Sequence, residues 1–96
     1  MHAVVVKVTI NDFETARKDL EEQVVPRVKQ APGFVAGYWT RSADGSNGRA
    51  MIVFDSEESA QGATGMIRAA ASNEGGGVTL EDVEVREVVQ HADSSS

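Results

Sequence analysis

The sequence predicts one small α+β domain of strand-helix-strand-strand-helix-strand order with a four-stranded antiparallel sheet. Three observations predict it. Runs rich in β-branched residues, as strands prefer, bracket two stretches whose apolar residues recur at helical spacing. A loop dense in turn formers, Ala43-Asp44-Gly45-Ser46-Asn47-Gly48, joins the two middle runs, and a short polar loop makes its flanking strands antiparallel neighbours. Two runs, at 3–6 and 50–54, are apolar at every position.

The first strand spans 3–10, Ala3 to Ile10. Asn11 then reads as a helix cap with Glu14 three residues later, the pattern of a capping box. Phe13, Ala16, Leu20, Val24 and Val28 form one apolar stripe, with charges on the opposite face. Pro26 removes a backbone donor and crowds the preceding turn, so a kink is expected near Val25 and a looser turn to Ala31. Pro32-Gly33 ends the helix. The second strand is expected over 34–41 and the third over 49–55. Ser56, Glu57 and Glu58 open a second helix, with acids at the positive end of its dipole. It runs to Ala71 on an apolar face of Ala60, Ala63, Met66, Ile67 and Ala70. Gly62 and Gly65 either weaken it or allow close approach to the sheet. The stretch 72–77, ending in three glycines, reads as a flexible loop. The fourth strand lies within 78–91, clearest from Val83 to Val89, and 92–96 as a disordered polar tail.

Two strand-helix-strand units around a hairpin give the ferredoxin-like arrangement, with both helices on one sheet face. A sheet with one wet face alternates apolar and polar residues. The runs Ala3-Val4-Val5-Val6 and Ala50-Met51-Ile52-Val53-Phe54 do not, so the second face is expected to be covered by another copy of the chain in a homodimer.

Ninety-six residues suffice for one domain, placed at 1–91. Such a domain leaves roughly a third of its unfolded surface exposed, which makes partner burial a natural supplement. Fifteen acidic residues against nine basic ones give a net charge of −6, which disfavours nucleic acid and anionic membrane surfaces as partners. The chain has no cysteine, which excludes disulfides, thiolate metal sites and cysteine nucleophiles. The apolar run at the N-terminus is too short for a signal peptide, and no stretch approaches the roughly 20 apolar residues of a membrane span. A cytoplasmic location is expected.

At this level of detail the sequence resembles the dimeric α+β barrel superfamily, and within it the antibiotic biosynthesis monooxygenase-like proteins. The resemblance covers about residues 2–90. It rests on Val25-Pro26 late in the first helix, Ala31-Pro32-Gly33-Phe34 entering strand two, Gly37-Tyr38-Trp39 on that strand, and Phe54-Asp55-Ser56-Glu57-Glu58-Ser59-Ala60 between strand three and helix two. It implies a dimeric α+β barrel with a pocket between sheet and helices in each subunit, and a cofactor-independent oxygenase of quinol-type aromatics, with no cofactor and no metal. A haem-degrading member of the family would carry Asn on strand one, Trp on strand three and His on helix two. Here strand one has no asparagine before Asn11, the tryptophan is on strand two, and helix two has no histidine.

Tyr38, Trp39 and Arg41 are the first candidates for a site. Adjacent strand residues point to opposite faces, so one of the two aromatics meets the helices and the other the dimer interface. Either can line a pocket with its polar tip; packing is the plainer role. Arg41 and Arg86 can each grip a carboxylate through a two-pronged contact, although Arg86 among Glu84 and Glu87 fits cross-strand pairing. Lys7 on strand one needs an acid if buried, with Glu84, Glu87 or a partner's acid available. His2 and His91 sit near the chain ends and would approach each other if strands one and four align there. Two such ligands do not make a metal site. Met51 and Met66 suit core filling or contact with a flat apolar ligand. The glycine run 75–77 follows a helix and so is no phosphate cradle; it reads as a linker or a lid. Beside the oxygenase stand two alternatives: a non-catalytic binder of a small apolar ligand, and a structural or regulatory dimer.

Overall fold

The computed structural model describes residues 1–71 and 77–94. The expected loop at 72–76, with two of the three glycines, and the tail residues 95–96 lie outside the described residues.

Strand β1 spans His2–Ile10, β2 Phe34–Arg41, β3 Asn47–Phe54 and β4 Val78–Glu87. They form one antiparallel sheet in the order β2-β3-β1-β4. Helical segments connect β1 to β2 and β3 to β4 across an intervening strand, which is the ferredoxin-like topology. Helix α1 covers Phe13–Asp19, α2 Val25–Lys29 and α3 Glu57–Ala71.

Two details of the first helical layer differ from the sequence reading. The cap is Asp12, not Asn11. The Asp12 carboxylate accepts the backbone N–H of Thr15 at 3.4 Å and its hydroxyl at 3.0 Å, whereas the Asn11 side chain donates to Thr79 on β4 at 2.8 Å. Asn11 therefore serves the sheet, and the helix starts one residue later. The backbone N–H groups of both Asn11 and Asp12 donate to the carbonyl of Gly77, at 2.8 and 3.0 Å. Gly77 holds a φ of 83° in close contact with this turn. The expected kink at Val25 is a π-helical turn over Leu20–Val24 between α1 and α2. The N–H of Val25 donates to the carbonyl of Leu20, five residues back. A proline ring in an α-helix strikes the carbonyl four residues before it; the extra residue in the turn relieves that contact for Pro26, and the helix passes through without a break.

Pairing registers sort the sheet into rows. On the helix-covered face lie Gly37, Ile52, Val4 and Val85 in one row, and Trp39, Ala50, Val6 and Val83 in the next. These pack with Val28, Ala60, Ala63 and Ile67 into the core, where Phe54, Ile52, Val4 and Val28 are the large side chains most fully buried. The opposite face carries Tyr38, Met51, Val5 and Glu84 across the four strands, beside a row of Ala36, Val53, Ala3 and Arg86. The third row there is polar: Thr40, Arg49, Lys7 and Asp82.

That second face is uncovered in one chain. Tyr38 is 68% exposed, Met51 48% and Val35 49%. Lys7 is exposed and lies opposite Asp82, so it needs no buried counter-ion. Arg86 pairs with Glu84 at 2.6 Å, a partner on its own strand instead of across the sheet, because residues two apart share a face. In the β2–β3 loop, Asp44 accepts from the Ser46 N–H and from the hydroxyls of Ser46 and Ser42. These donors hold its carboxyl low, at about 2. Gly62 and Gly65 do not approach the sheet; a Cβ at either would meet nothing within 4 Å.

Candidate functional site

A cavity of about 320 Å³ opens between the sheet and the first helical layer. Its volume falls at the lower end of the roughly 300–1,000 Å³ typical of small-ligand sites. Ala50, Ile52 and Val6 supply the sheet side, Phe13, Ala16, Leu20 and Val24 the helix side, and Ile67 and Ala70 come from α3. The π-helical turn contributes two of these, Leu20 and Val24. Turns of this kind are common beside functional sites.

Trp39 lines this cavity and Tyr38 does not. The strand alternation decides it. Trp39 faces Ala50 across the β2–β3 ladder, on the helix-covered side, and Tyr38 faces Met51 on the open side. Room for the indole comes from small neighbours. A Cβ at Gly37 would fall 2.8 Å from the Trp39 Cη2 and 2.9 Å from its Cζ3, so the ring lies back over the glycine. Ala50, opposite Trp39, adds only a methyl group.

The charged lining residues are Arg17, Asp19, Arg41 and Arg49. Arg17 is engaged on the surface by Glu21 at 2.9 Å and Glu14 at 3.3 Å, and these two acids raise its already high pKa. Arg49 belongs to the polar row of the open face. Arg41 sits at the end of β2, with its guanidinium carbon 3.8 Å from the centre of the Phe13 ring. Its cross-strand neighbour is Gly48, which adds no side chain to the space beside it. Of the sequence candidates, the fold thus brings Trp39 and Arg41 to one cavity and sends Tyr38 to the other face. The apolar helix wall was present in the predicted stripe of Phe13, Ala16, Leu20 and Val24. Asp19 gave no signal, because one acid on a charged helix is unremarkable in sequence.

The two histidines share no hydrogen bond or ion pair among the described residues. His2 is half-buried, with Nε2 3.3 Å from the Glu57 carboxylate and Nδ1 buried without a partner; its neighbour on β4 is Glu87. His91 is exposed beyond the end of β4. Among the described residues no cluster of three or more metal-binding side chains exists, and no helix is long and apolar enough to cross a membrane. Met51 lies on the open sheet face, and Met66 packs against the core.

No protein-family model and no curated protein sequence matches the chain. Solved structures do match. The N63A mutant of SnoaB, a cofactor-independent oxygenase from Streptomyces nogalater, superposes with a TM-score of 0.73 at 16% identity, over 94% of each chain. A dimeric ferredoxin-like protein from an uncultured marine organism gives 0.62 at 12% identity, over 97% of this chain and 99% of that one. The haem degrader MhuD from Mycobacterium tuberculosis, solved with two haems in its active site, gives 0.57 at 24% identity, over 94% and 99%. Across nearly its whole length, the chain has a ferredoxin-like fold, which matches the structures of a cofactor-independent oxygenase, a dimeric ferredoxin-like protein and a haem degrader.

Proposed function

We propose that the chain is a homodimeric, cofactor-independent monooxygenase of a small electron-rich aromatic of quinol type, bound against Trp39. The observation that carries this reading is the apolar cavity itself: a slot beside a tryptophan, between sheet and helix, with charge confined to four residues of its lining. Its likeness in fold to SnoaB, a cofactor-independent oxygenase, supports the same reading.

The chemistry asks little of the protein beyond what such a slot offers. The substrate supplies the electrons. Loss of a proton from the phenol, or from the ring methylene of its keto tautomer, leaves one and the same anion, whose ring carbon reduces dioxygen; counted from the keto tautomer, the CH₂ and O₂ become a carbonyl and water. The dry walls exclude solvent and hold the ring in one orientation. Trp39 packs on the ring, and its indole N–H has no hydrogen-bond partner among the described residues, so it serves as a donor to a substrate oxygen. Asp19 is the one carboxylate in the lining and, with no histidine there, takes the proton.

Haem fits the cavity less well. Protein ligands to haem iron are histidine, cysteine, methionine or tyrosine side chains, and the lining has none of these.

Oxygen uptake with a panel of polycyclic quinols tests the proposal. Uptake by the native chain, cut at least about tenfold in Trp39→Ala and Asp19→Asn, supports it. Absence of uptake with every quinol that binds would leave a binding protein in place of an enzyme.

A further inference from the structure

Arg41 has an arrangement that an oxygenase of neutral phenols does not need. We infer that the cavity takes a flat aromatic acid, with the ring against Trp39 and the anionic group held at the mouth by Arg41. The inference deepens the proposed function and rests on its assignment of the cavity as the ligand site.

Four observations converge on this residue. First, Arg41 and Trp39 are two apart on β2, so both point to the helix-covered face, and one ligand spans them. Second, the face of the guanidinium is taken by Phe13, at 3.8 Å. Stacking of this kind fixes the plane of the group and leaves its edge N–H donors directed outward, the geometry that meets a carboxylate through two parallel hydrogen bonds. Third, those donors are unclaimed. Arg41 makes no ion pair and no side-chain hydrogen bond among the described residues, whereas Arg17 nearby is held between two glutamates and Arg86 is paired with Glu84. Fourth, Arg41 lines the cavity and is itself exposed to solvent, which puts it at the mouth.

The whole molecule works against this preference. A chain of net charge −6 repels anions at long range. Selectivity for an acid therefore has to come from a local contact, which makes the effect of removing Arg41 diagnostic.

Trp39 is the only tryptophan, so its fluorescence reports on the cavity directly. The experiment titrates the native chain with anthracene-2-carboxylate and with anthracene-2-carboxamide, which has the same rings and no charge. It repeats both titrations with Arg41→Met and Arg41→Lys. A charge-assisted two-pronged contact predicts that the acid binds about tenfold to hundredfold more tightly than the amide. Arg41→Met should abolish that preference while the amide affinity stays within about twofold. Arg41→Lys should restore only part of it, since an ammonium is a point charge. Added salt should weaken the acid and leave the amide unchanged. Equal binding of acid and amide by the native chain, or a preference that survives Arg41→Met, overturns the inference and leaves the oxygenase proposal standing. Binding of neither anthracene overturns both.

Discussion

Trp39 and Gly37 act as a pair at the residue scale. The indole occupies the volume that a Cβ at position 37 would fill, with contacts of 2.8 and 2.9 Å to the ring. Gly37→Ala must therefore push the ring out of place. Overpacking of this order costs about 1–3 kcal/mol. The expected outcome is a fall of that size in urea-denaturation stability, a shift of the tryptophan emission and weaker binding of anthracene-type ligands. Unchanged emission and stability would show that the ring has another place to go. The sequence made Trp39, Tyr38 and Arg41 candidates, but it could not say which aromatic meets the cavity. Strand β3 is apolar on both faces from Ala50 to Phe54, so its pattern carries no label for inside and outside. The register does: Trp39 opposite Ala50, Tyr38 opposite Met51.

At the scale of elements, α3 and the first helical layer contrast. Helix α3 has two glycines, Gly62 and Gly65, that are exposed and face open space. Neither allows a close approach. Alanine at each should stabilise the chain by about 0.4–1 kcal/mol, by restricting the unfolded state and favouring the helix. The double variant should show nearly the sum, read as a higher urea midpoint at constant slope. A loss of stability would mean that these positions are covered by something in solution. Helix propensity made the weakness of α3 legible, but whether the glycines face the sheet depended on the rotation of the helix about its axis. The first layer reverses the case. Pro26 signalled an interruption in plain sequence, yet the form it takes, a π-helical turn over Leu20–Val24, depends on packing. Leu20 and Val24, at the two ends of this turn, both line the cavity.

The whole molecule leaves one sheet face open, with Tyr38, Met51 and Val35 each about half exposed or more and Val5 and Ala36 in the same rows. Apolar surface this extensive marks an interface, and a face-to-face pairing of two identical sheets is self-complementary. Light scattering at micromolar concentration should give twice the chain mass. Met51→Lys, which puts a charge in the centre of that face, should shift the population toward monomer while circular dichroism stays unchanged. A native chain that runs as a monomer would count against the homodimer.

The sequence by itself determined the element order, the sheet composition and the existence of two apolar sheet faces, because these follow from residue spacing along the chain: period two in strands, near four in helices, glycine and polar clusters between them. It also placed Trp39 and Arg41 two apart on one strand, hence on one face. Only the tertiary structure decided which face that is, that Asp12 caps the first helix, and that Arg41 stacks on Phe13 from a helix 28 residues earlier. Those outcomes depend on strand register and on contacts between distant segments, and neither leaves a trace in local periodicity.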